Sequence, residues 1–320
     1  MLSGHRCRPT RKVILAVALT VLAAGVALAE KKTDREMAAL VGAVKAIYTE
    51  EAAFSERFPM WVEGSKAPVS AVRYDVQGNM TEQVEYNADG SIRSKRTYAY
   101  DALAHKTEEV EYNSDGSVQS RWTYTYNGNG YMTESAQYTS DGSLLNKTVY
   151  AHDGKGYMTA AAEYDSSGAL QSNRIYSYDG DGHMTEWVEY KADGSLNEKM
   201  VYIHDGKGRV TGYAWYDAAG SLMRKFTYAY DDTRNAREGA EYSPDGSVKG
   251  QWVYTDDDKG NVIEWAVHKP ESSRWAYAYE YDSQGNWVKK TTLKWVIKEG
   301  RYGPSHYVPS EVEYRTIVYY

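Results

Sequence analysis

Cysteine and phenylalanine are scarce in this chain of 320 residues. The single cysteine, Cys7, lies in a basic N-terminal stretch, so we expect neither disulfide bonds nor thiol chemistry in the rest of the protein. Only 3 Phe and 7 Pro occur, against 31 Tyr. Phenol rings suit positions that pack on one side and reach water on the other, as on a sheet or a binding surface. Tyrosines of this kind are common in strands and at sugar- or protein-binding surfaces, and the composition does not separate the two.

Basic residues are also in the minority. Residues 1–29 read as a secretory signal peptide: a basic start is followed by the apolar run from Val13 to Leu28 and a small-residue cleavage site ending at Ala29. Removal of this segment would change the net charge from −7 to −11, because it holds four basic residues and no acidic one. Such a chain should repel nucleic acid and anionic lipid. We predict a periplasmic or secreted protein that is not inserted in the membrane after cleavage; an uncleaved anchor is the alternative.

A repeat of 26 residues dominates what remains. A glycine recurs at this interval in seven copies, and a tyrosine precedes each glycine by four positions. The glycines are Gly90, Gly116, Gly142, Gly168, Gly194, Gly220 and Gly246. A period of this length indicates an array of small supersecondary units that are stable only when stacked.

Each repeat contains two turns of similar chemistry. The first is Asn87-Ala88-Asp89-Gly90 and the second is Asp153-Gly154-Lys155-Gly156, with relatives in the other copies. Both predict a type I turn followed by a left-handed glycine. The repeat is therefore a β-hairpin, and the fold class is all-β: an antiparallel β-hairpin array that coils into a spiral or closes as a wide barrel.

Strand register predicts two faces. Continuing from Tyr86 opposite Ile92, we expect Val84 opposite Ser94 and Glu82 opposite Arg96. One face would carry the Val84, Ile92, Tyr86 and Tyr98 columns and form the inside. The other, rich in Thr, Lys, Arg, Glu and Gln, would meet water. Charges on both faces argue against a lipid-exposed wall.

The segment before the array predicts one N-terminal helix. Thr33 and Glu36 have the spacing of a capping box, and apolar residues from Met37 to Tyr48 fall on one helical face. We expect a helix over about 33–55. The predicted organisation is a signal peptide at 1–29, helix and linker at 30–70, hairpin repeats at 71–290 and closing strands at 291–320.

The repeats resemble those of the Rhs family, also called YD repeats. The resemblance is carried by Tyr74-Asp75-x-x-Gly78-Asn79, Tyr178-Asp179-x-x-Gly182 and Tyr281-Asp282-x-x-Gly285-Asn286, and covers about residues 71–290. It implies a sheet that spirals into a shell, which in large family members encloses a toxin segment or serves in adhesion. This chain is far shorter and shows no toxin-like domain after the array, so toxin delivery is not carried over.

Four aromatic residues fall on the face predicted to be outer and polar: Trp187, Tyr213, Trp215 and Trp265. Exposed aromatic residues without a core role often mark a binding surface. Equivalent strands lie about 10 Å apart, two strand spacings, which suits successive sugars of an extended polysaccharide. We predict that these residues bind a glycan; cross-strand packing is the alternative.

No residue pattern indicates catalysis or a cofactor. The repeated carboxylates, such as Glu82 and Glu108, share one environment, so no pair is set apart as glycoside hydrolysis requires. Asp179-Gly180-Asp181-Gly182 resembles a calcium loop only faintly, and turn chemistry accounts for it. We therefore predict no metal or cofactor, and a non-catalytic scaffold that binds a cell-envelope glycan or protein. The alternatives are a glycan-processing enzyme or its accessory subunit, and a purely structural shell or adhesin.

Overall fold

The computed structural model describes residues 32–57, 60–269, 273–296 and 305–320. The predicted signal peptide, residues 1–29, lies outside the described residues. In these ranges, no helix is long and apolar enough to cross a membrane.

The described residues form one helical turn and a succession of strands. In chain order these are α1 Asp34–Met37, β1 Val44–Arg57, β2 Met60–Glu63, β3 Ala67–Tyr74, β4 Met80–Tyr86, β5 Ile92–Tyr100, β6 Lys106–Tyr112, β7 Val118–Tyr126, β8 Met132–Thr139, β9 Leu144–His152, β10 Met158–Asp165, β11 Leu170–Tyr178, β12 Met184–Lys191, β13 Leu196–His204, β14 Val210–Tyr216, β15 Leu222–Asp231, β16 Ala236–Tyr242, β17 Val248–Asp256, β18 Val262–Lys269, β19 Ser273–Tyr281, β20 Trp287–Val296 and β21 His306–Tyr319.

The strands close into a barrel. From β3 to β21, each strand pairs antiparallel with the next. Strand β1 pairs with both β3 and β21, which completes a ring of 20 strands. Strand β2 pairs with the far end of β1 and extends it as a ribbon. The predicted hairpin array is confirmed, and it takes the form of a wide closed barrel.

The two kinds of turn have the same backbone structure. In the first, Asn87 donates its N–H to the carbonyl of Ser91 at 2.8 Å, and Gly90 donates to Asn87 at 2.9 Å. In the second, Asp153 donates to Tyr157 at 2.9 Å and Gly156 donates to Asp153 at 3.0 Å. Gly90 and Gly156 have φ values of 84° and 89°, in the left-handed region that the turn chemistry predicts.

A one-residue bulge shifts the register inside each hairpin. Tyr86 lies opposite Ile92 as predicted, but the next pairs are Glu85 with Ser94 and Val84 with Lys95, so the predicted Val84–Ser94 pair is wrong. A bulge sets two residues of one strand against one of its partner, and the later residues of the two strands then change their pairing. The Tyr98 column consequently leaves the Val84 face: the Tyr98 hydroxyl donates to Gln83 at 3.3 Å on the opposite side of the sheet.

We name each of the two sides after one characteristic column of residues. The lysine face carries the columns of Val84, Glu82, Lys95 and Tyr112. The Lys95 ammonium lies 2.7 Å from Glu82 and 5.9 Å from the Tyr112 ring centroid. The same arrangement recurs along the array, at Arg121–Glu108, Lys147–Glu134 and Lys199–Glu186. These long side chains cover the small residues beneath them, so Val84 is only 5% exposed.

The tyrosine face carries the columns of Gln83, Glu85, Arg96 and Tyr98, and it lines the inside of the barrel. Burial raises the pKa of Tyr98, Tyr202 and Tyr277 on this face. Each strand of the ring packs chiefly on its two neighbours in the sheet, so the burial comes from side chains of the same face. In a closed single-layer sheet, side chains converge on the concave side and diverge on the convex side.

The predicted assignment of inside and outside is therefore wrong. The small Val and Ala side chains suggested an inner core, whereas they are covered on the convex side by neighbouring Lys, Glu and Tyr side chains. The side that carries Trp187 and Tyr213 faces the lumen. Porins with fewer strands already enclose an aqueous channel, so a barrel of 20 strands is wide enough to enclose one.

The N-terminal segment begins as predicted and then departs from the prediction. Thr33 and Glu36 form both halves of a capping box, but α1 ends at Met37. Residues 44–55, predicted to be helical, belong to strand β1 instead, which runs from Val44 to Arg57. Val44 and Ile47 are β-branched, which favours a strand. They are 0% and 7% exposed and pack against Tyr74 and other apolar residues near the closure. A helix that lay apart from the sheet would not make these contacts.

Stacked rings join successive turns along one rim of the barrel. We call these the rim stacks: His105 on Tyr126, Tyr131 on His152, Tyr157 on Tyr178 and His183 on His204, with ring centroids 4.6–5.4 Å apart. The first ring of each stack also covers the left-handed glycine of the following turn, for example Tyr157 over Gly182. Each turn is thus packed against the turn of the preceding repeat.

Candidate ligand-binding surface

The four aromatic residues predicted from the sequence all lie on the tyrosine face. Trp187 and Trp215 belong to β12 and β14 and both pair with Met200 of β13, which lies between them. Tyr213 pairs with Tyr202 in the same group of strands. The structure thus brings three of the four together, and we call Trp187, Tyr213 and Trp215 the aromatic cluster.

Hydrogen bonds fix the orientation of the two indoles in the aromatic cluster. The Trp187 Nε1–H donates to the Tyr202 hydroxyl at 3.3 Å, and the Trp215 Nε1–H donates to Glu198 at 2.9 Å. Tyr213 stacks on Phe226 with ring centroids 4.7 Å apart. Burial, and then the neighbouring Tyr228, raise the pKa of Tyr213, so its phenol remains a neutral donor at physiological pH. The cluster is a pre-oriented aromatic wall with polar edges.

Arg174 borders the cluster. Its guanidinium lies 5.7 Å from the Trp187 ring centroid and forms an ion pair with Glu189, which is 7% exposed. Glu189 also accepts a hydrogen bond from Asn197 at 2.5 Å. The charge of Arg174 is therefore paired within the wall, and its guanidinium holds Trp187 in place.

Trp265 lies apart from the cluster and is packed differently. Its ring stacks on Trp275 at 4.6 Å and lies parallel to Tyr254 at 5.9 Å, on the two neighbouring strands. Since neighbours flank both of its faces, no face is left free for a sugar ring. Its Nε1 is buried without a hydrogen-bond partner among the described residues. The packing interpretation fits Trp265 better than the binding interpretation.

Sequence reasoning missed further aromatic residues of the same wall. Trp122 and Trp252 occupy the column of Arg96, and their equivalence to it becomes visible only when the bulge is taken into account. Trp252 also fills the space left by Gly239 on the adjacent strand, where a side chain would collide with the indole. The pairing of a glycine with a tryptophan across the strands is a signal that the sequence does contain.

The closing strands bring together carboxylates that the repeats keep apart. Glu51 of β1 and Glu311 of β21 share a hydrogen bond, and burial together with Glu51 raises the pKa of Glu311. Glu313 lies two residues further along β21 and binds Lys290 at 2.8 Å. Glycoside hydrolases hold their two carboxyl groups about 5–10 Å apart, so that substrate or water fits between them. Two carboxyl groups in direct contact do not match that geometry.

In the turn that faintly resembles a calcium loop, both carboxylate oxygens of Asp179 already have partners. Asp179, Asp181 and His183 each place one potential ligand atom within 4.8 Å of the others. However, Asp179 Oδ1 accepts the backbone N–H groups of Asp181 and His183 at 3.0 and 2.9 Å, and Oδ2 contacts His183 Nδ1 at 3.1 Å. The group is explained by turn chemistry, and the prediction of no metal stays a prediction.

A shallow depression of about 540 Å³ lies on the lysine face. Its charged lining residues, Glu186 and Lys199, lie 3.6 Å apart, and Lys199 also lies over the Tyr216 ring. The charged groups that line the depression therefore interact with one another.

Comparison with solved structures finds matches at low sequence identity. A porin-like protein from Bacteroides uniformis is 13% identical with a TM-score of 0.34, and the match covers 86% of this chain and 96% of that one. The Tc holotoxin pore of Photorhabdus luminescens is 13% identical with a TM-score of 0.21, and the complex TcdB2-TccC3 is 11% identical with a TM-score of 0.28. These matches cover 77% and 79% of this chain but only 18% and 17% of the toxin chains.

No curated protein sequence matches the chain. Among protein families, the model of the teneurin YD-shell matches residues 55–277. The matched range covers more than two thirds of the sequence and includes the hairpins from β3 to β18 with their repeated Tyr-Asp and glycine turns. The chain therefore belongs to the teneurin YD-shell family of YD-repeat proteins.

Proposed function

We propose that this YD-repeat shell is a non-catalytic scaffold that binds a cell-envelope glycan inside its barrel, outside the cytoplasm. The observation that carries the proposal is the aromatic cluster of Trp187, Tyr213 and Trp215 on the concave wall. The sequence predicted these residues to lie on the outer surface; the corrected assignment of inside and outside moves the proposed site to the lumen.

Aromatic rings on a concave wall suit sugar binding for physical reasons. The C–H faces of a sugar pack on flat rings, while its hydroxyls need donors and acceptors at the ring edges. Here, Glu198 beside Trp215 and the hydroxyl of Tyr202 beside Trp187 supply such edges. Trp187 and Trp215 lie two strands apart, about 10 Å, so one extended chain can contact both rings.

The absence of catalysis is part of this proposal. The repeated carboxylates of the lysine face are paired with Lys or Arg, as Lys95 is with Glu82. At the closure, Glu311 is hydrogen-bonded to Glu51. Incubation of the protein with the retained polysaccharide should release no reducing sugar, and steady release would support the alternative of a glycan-processing enzyme.

The proposed binding is tested by co-sedimentation with purified cell-wall sacculi and insoluble polysaccharides. A Trp187→Ala/Trp215→Ala variant should lose retention because the wall loses both indoles. The matched control is Tyr216→Ala, which removes the neighbouring ring on the lysine face, beneath Lys199. Thermal unfolding verifies that each variant is folded.

Equal retention of the two variants would place binding outside the aromatic cluster. A folded wild-type protein that is retained on none of the polymers would overturn the proposal for these glycans. A purely structural shell predicts that loss of the indoles changes only the stability.

A further inference from the structure

Among the described residues, one arginine of the tyrosine face has no counter-ion in contact with it. Arg315 lies on β21, and its guanidinium carbon is 3.4 Å from the centroid of the Trp287 ring. Its Nε is buried without a hydrogen-bond partner among the described residues. The ring covers one face of the guanidinium and leaves the donors at its edge without an acceptor.

The other arginines of this face show what is missing. Arg96 is paired with Glu111 at 3.1 Å, Arg174 with Glu189, and Arg224 with Glu241 at 3.9 Å. Arg315 has no such carboxylate within 4.0 Å in the described part of the chain. Since a buried charge without a partner is costly, this position calls for a reason other than packing.

The nearby acids are engaged elsewhere. Glu313 attracts Arg315 electrostatically, but its carboxylate binds Lys290 at 2.8 Å. Glu311 is hydrogen-bonded to Glu51. Burial lowers the pKa of Arg315, and the opposing attraction of Glu313 does not offset it. An arginine nevertheless remains protonated at neutral pH, so a cation is held on the wall of the lumen.

We propose that Arg315 is an anion-binding subsite that holds the carboxylate of an acidic saccharide, with Trp287 beside it. This inference rests on the proposed function, because it names the class of glycan that the shell would take. The planar fork of a guanidinium matches a carboxylate with two parallel hydrogen bonds. The subsite lies at the closure of the barrel, on the same concave face as the aromatic cluster.

The test uses an oligogalacturonate and its methyl ester, in which each carboxylate has lost its charge and gained a methyl group. Isothermal titration with the purified protein should show tighter binding of the acid, by about tenfold or more, as expected for hydrogen bonds to a charged group. Raising the salt concentration should weaken the binding of the acid and leave the binding of the ester nearly unchanged. Arg315→Gln should bring the affinity for the acid down to that for the ester.

The matched control is Arg121→Gln. Arg121 also lies over a tyrosine ring, that of Tyr138 at 4.9 Å, but on the lysine face. This variant loses the same formal charge and should keep the preference for the acid. Arg315→Lys keeps the charge and removes the planar fork, so its affinity should fall between those of the wild type and Arg315→Gln.

The outcomes separate this inference from the proposed function. Equal affinity for acid and ester in the wild type, or an unchanged preference in folded Arg315→Gln, would overturn the anion subsite. If neither oligomer binds while a neutral polysaccharide is retained, the acidic class is wrong and the proposed function stands. If nothing binds at all, both fall. The comparison of acid and ester needs only the wild type, so it remains decisive if Arg315→Gln does not fold.

Discussion

At the scale of single residues, the left-handed glycines of the turns fall into two sets. Gly90, Gly116, Gly142 and Gly168 belong to the turns of one rim, where a side chain would meet little or nothing. Gly156, Gly182 and Gly208 belong to the rim stacks, where a side chain would collide with the ring above. The same backbone conformation therefore carries a packing role on one rim only.

Substitution of one glycine from each set should separate backbone strain from packing. Gly168→Ala should lower the free energy of unfolding by about 1–2 kcal/mol, the cost of a left-handed alanine. Gly182→Ala should cost about 1 kcal/mol more, because Tyr157 must leave its stack on Tyr178. Urea unfolding measures both values. Equal losses of unfolding free energy in the two variants would mean that the Tyr157 ring moves aside without an energetic cost.

At the scale of elements, the rim stacks contain a dependence on pH. His152 and His204 take the place of tyrosines such as Tyr178, and burial lowers the pKa of both histidines. The neighbouring His183 lowers that of His204 further. Between the ordinary pKa of about 6.5 and the lower folded value, the unfolded state binds more protons, so stability falls as the pH drops through this range.

Replacing both histidines by tyrosine should remove that part of the loss. Between pH 7.5 and pH 5.5, the melting temperature of the wild type should fall further than that of His152→Tyr/His204→Tyr. The exposed His268 of β18 gives the control substitution, His268→Tyr, which should leave the difference in place. A double variant as acid-sensitive as the wild type would exclude the rim stacks as its source.

A single asparagine joins three elements at the closure. Asn286 is 4% exposed; its side chain accepts the Val41 N–H at 2.7 Å and donates to the Val41 carbonyl and the Tyr319 hydroxyl, both at 2.8 Å. Asn261 occupies the same position of the preceding turn, but it bonds only Asp257 and Tyr281. One residue type thus serves a local turn in one repeat and the closure of the barrel in the next.

Removal of these side chains should show the difference. Asn286→Ala should cost about 2–3 kcal/mol in urea unfolding, because it removes three hydrogen bonds between elements, two to Val41 and one to Tyr319. Asn261→Ala should cost about 1 kcal/mol, the net contribution of ordinary hydrogen bonds. A smaller loss at Asn286 than at Asn261 would show that the N-terminal segment contributes little to closure.

At the scale of the whole molecule, the barrel tolerates loss of a repeat better than loss of its closure. Deletion of residues 143–168 removes β9 and β10 and joins Gly142 to Ala169, which preserves the turn pattern and leaves 18 strands able to close. Deletion of residues 306–320 removes β21 and exposes edges on β1 and β20. Unpaired strand edges promote association between chains.

The expected result in size-exclusion chromatography is a monomeric β-protein for the first deletion. The second deletion should give soluble oligomers or aggregate, although it removes fewer residues. A monomeric, folded product of the second deletion would mean that the sheet does not need to close.

The parts of this fold that depend on neighbouring residues could be predicted from the sequence. Turns such as 87–90 are specified by the residues within them, and the spacing of the turns sets the lengths of the hairpin strands. The bulge after Tyr86 could not be predicted, because an alternation read outward from a turn passes over one extra residue without a signal. That one residue moved the Tyr98 column to the other face.

Features that depend on the closure of the barrel could not be predicted from the sequence either. Residues 44–57 have an apolar pattern compatible with either a helix or a strand, and partners at opposite ends of the chain decide between them. Among the site residues, Trp187 and Trp215 were found because they interrupt the repeat. Arg315 and Trp287 were not, because β21 lies beyond the predicted repeats and its register against β20 cannot be read from the sequence.

The position of β1 between β3 and β21 has a consequence for how the chain folds as it is made. Every other pairing joins strands that are adjacent in sequence, so hairpins can dock one by one in the order of their synthesis. The pairing of Val44 with Tyr319 has to wait for the last residues. A chain released before β21 is made would hold a well-formed sheet and still lack the pairings that close it.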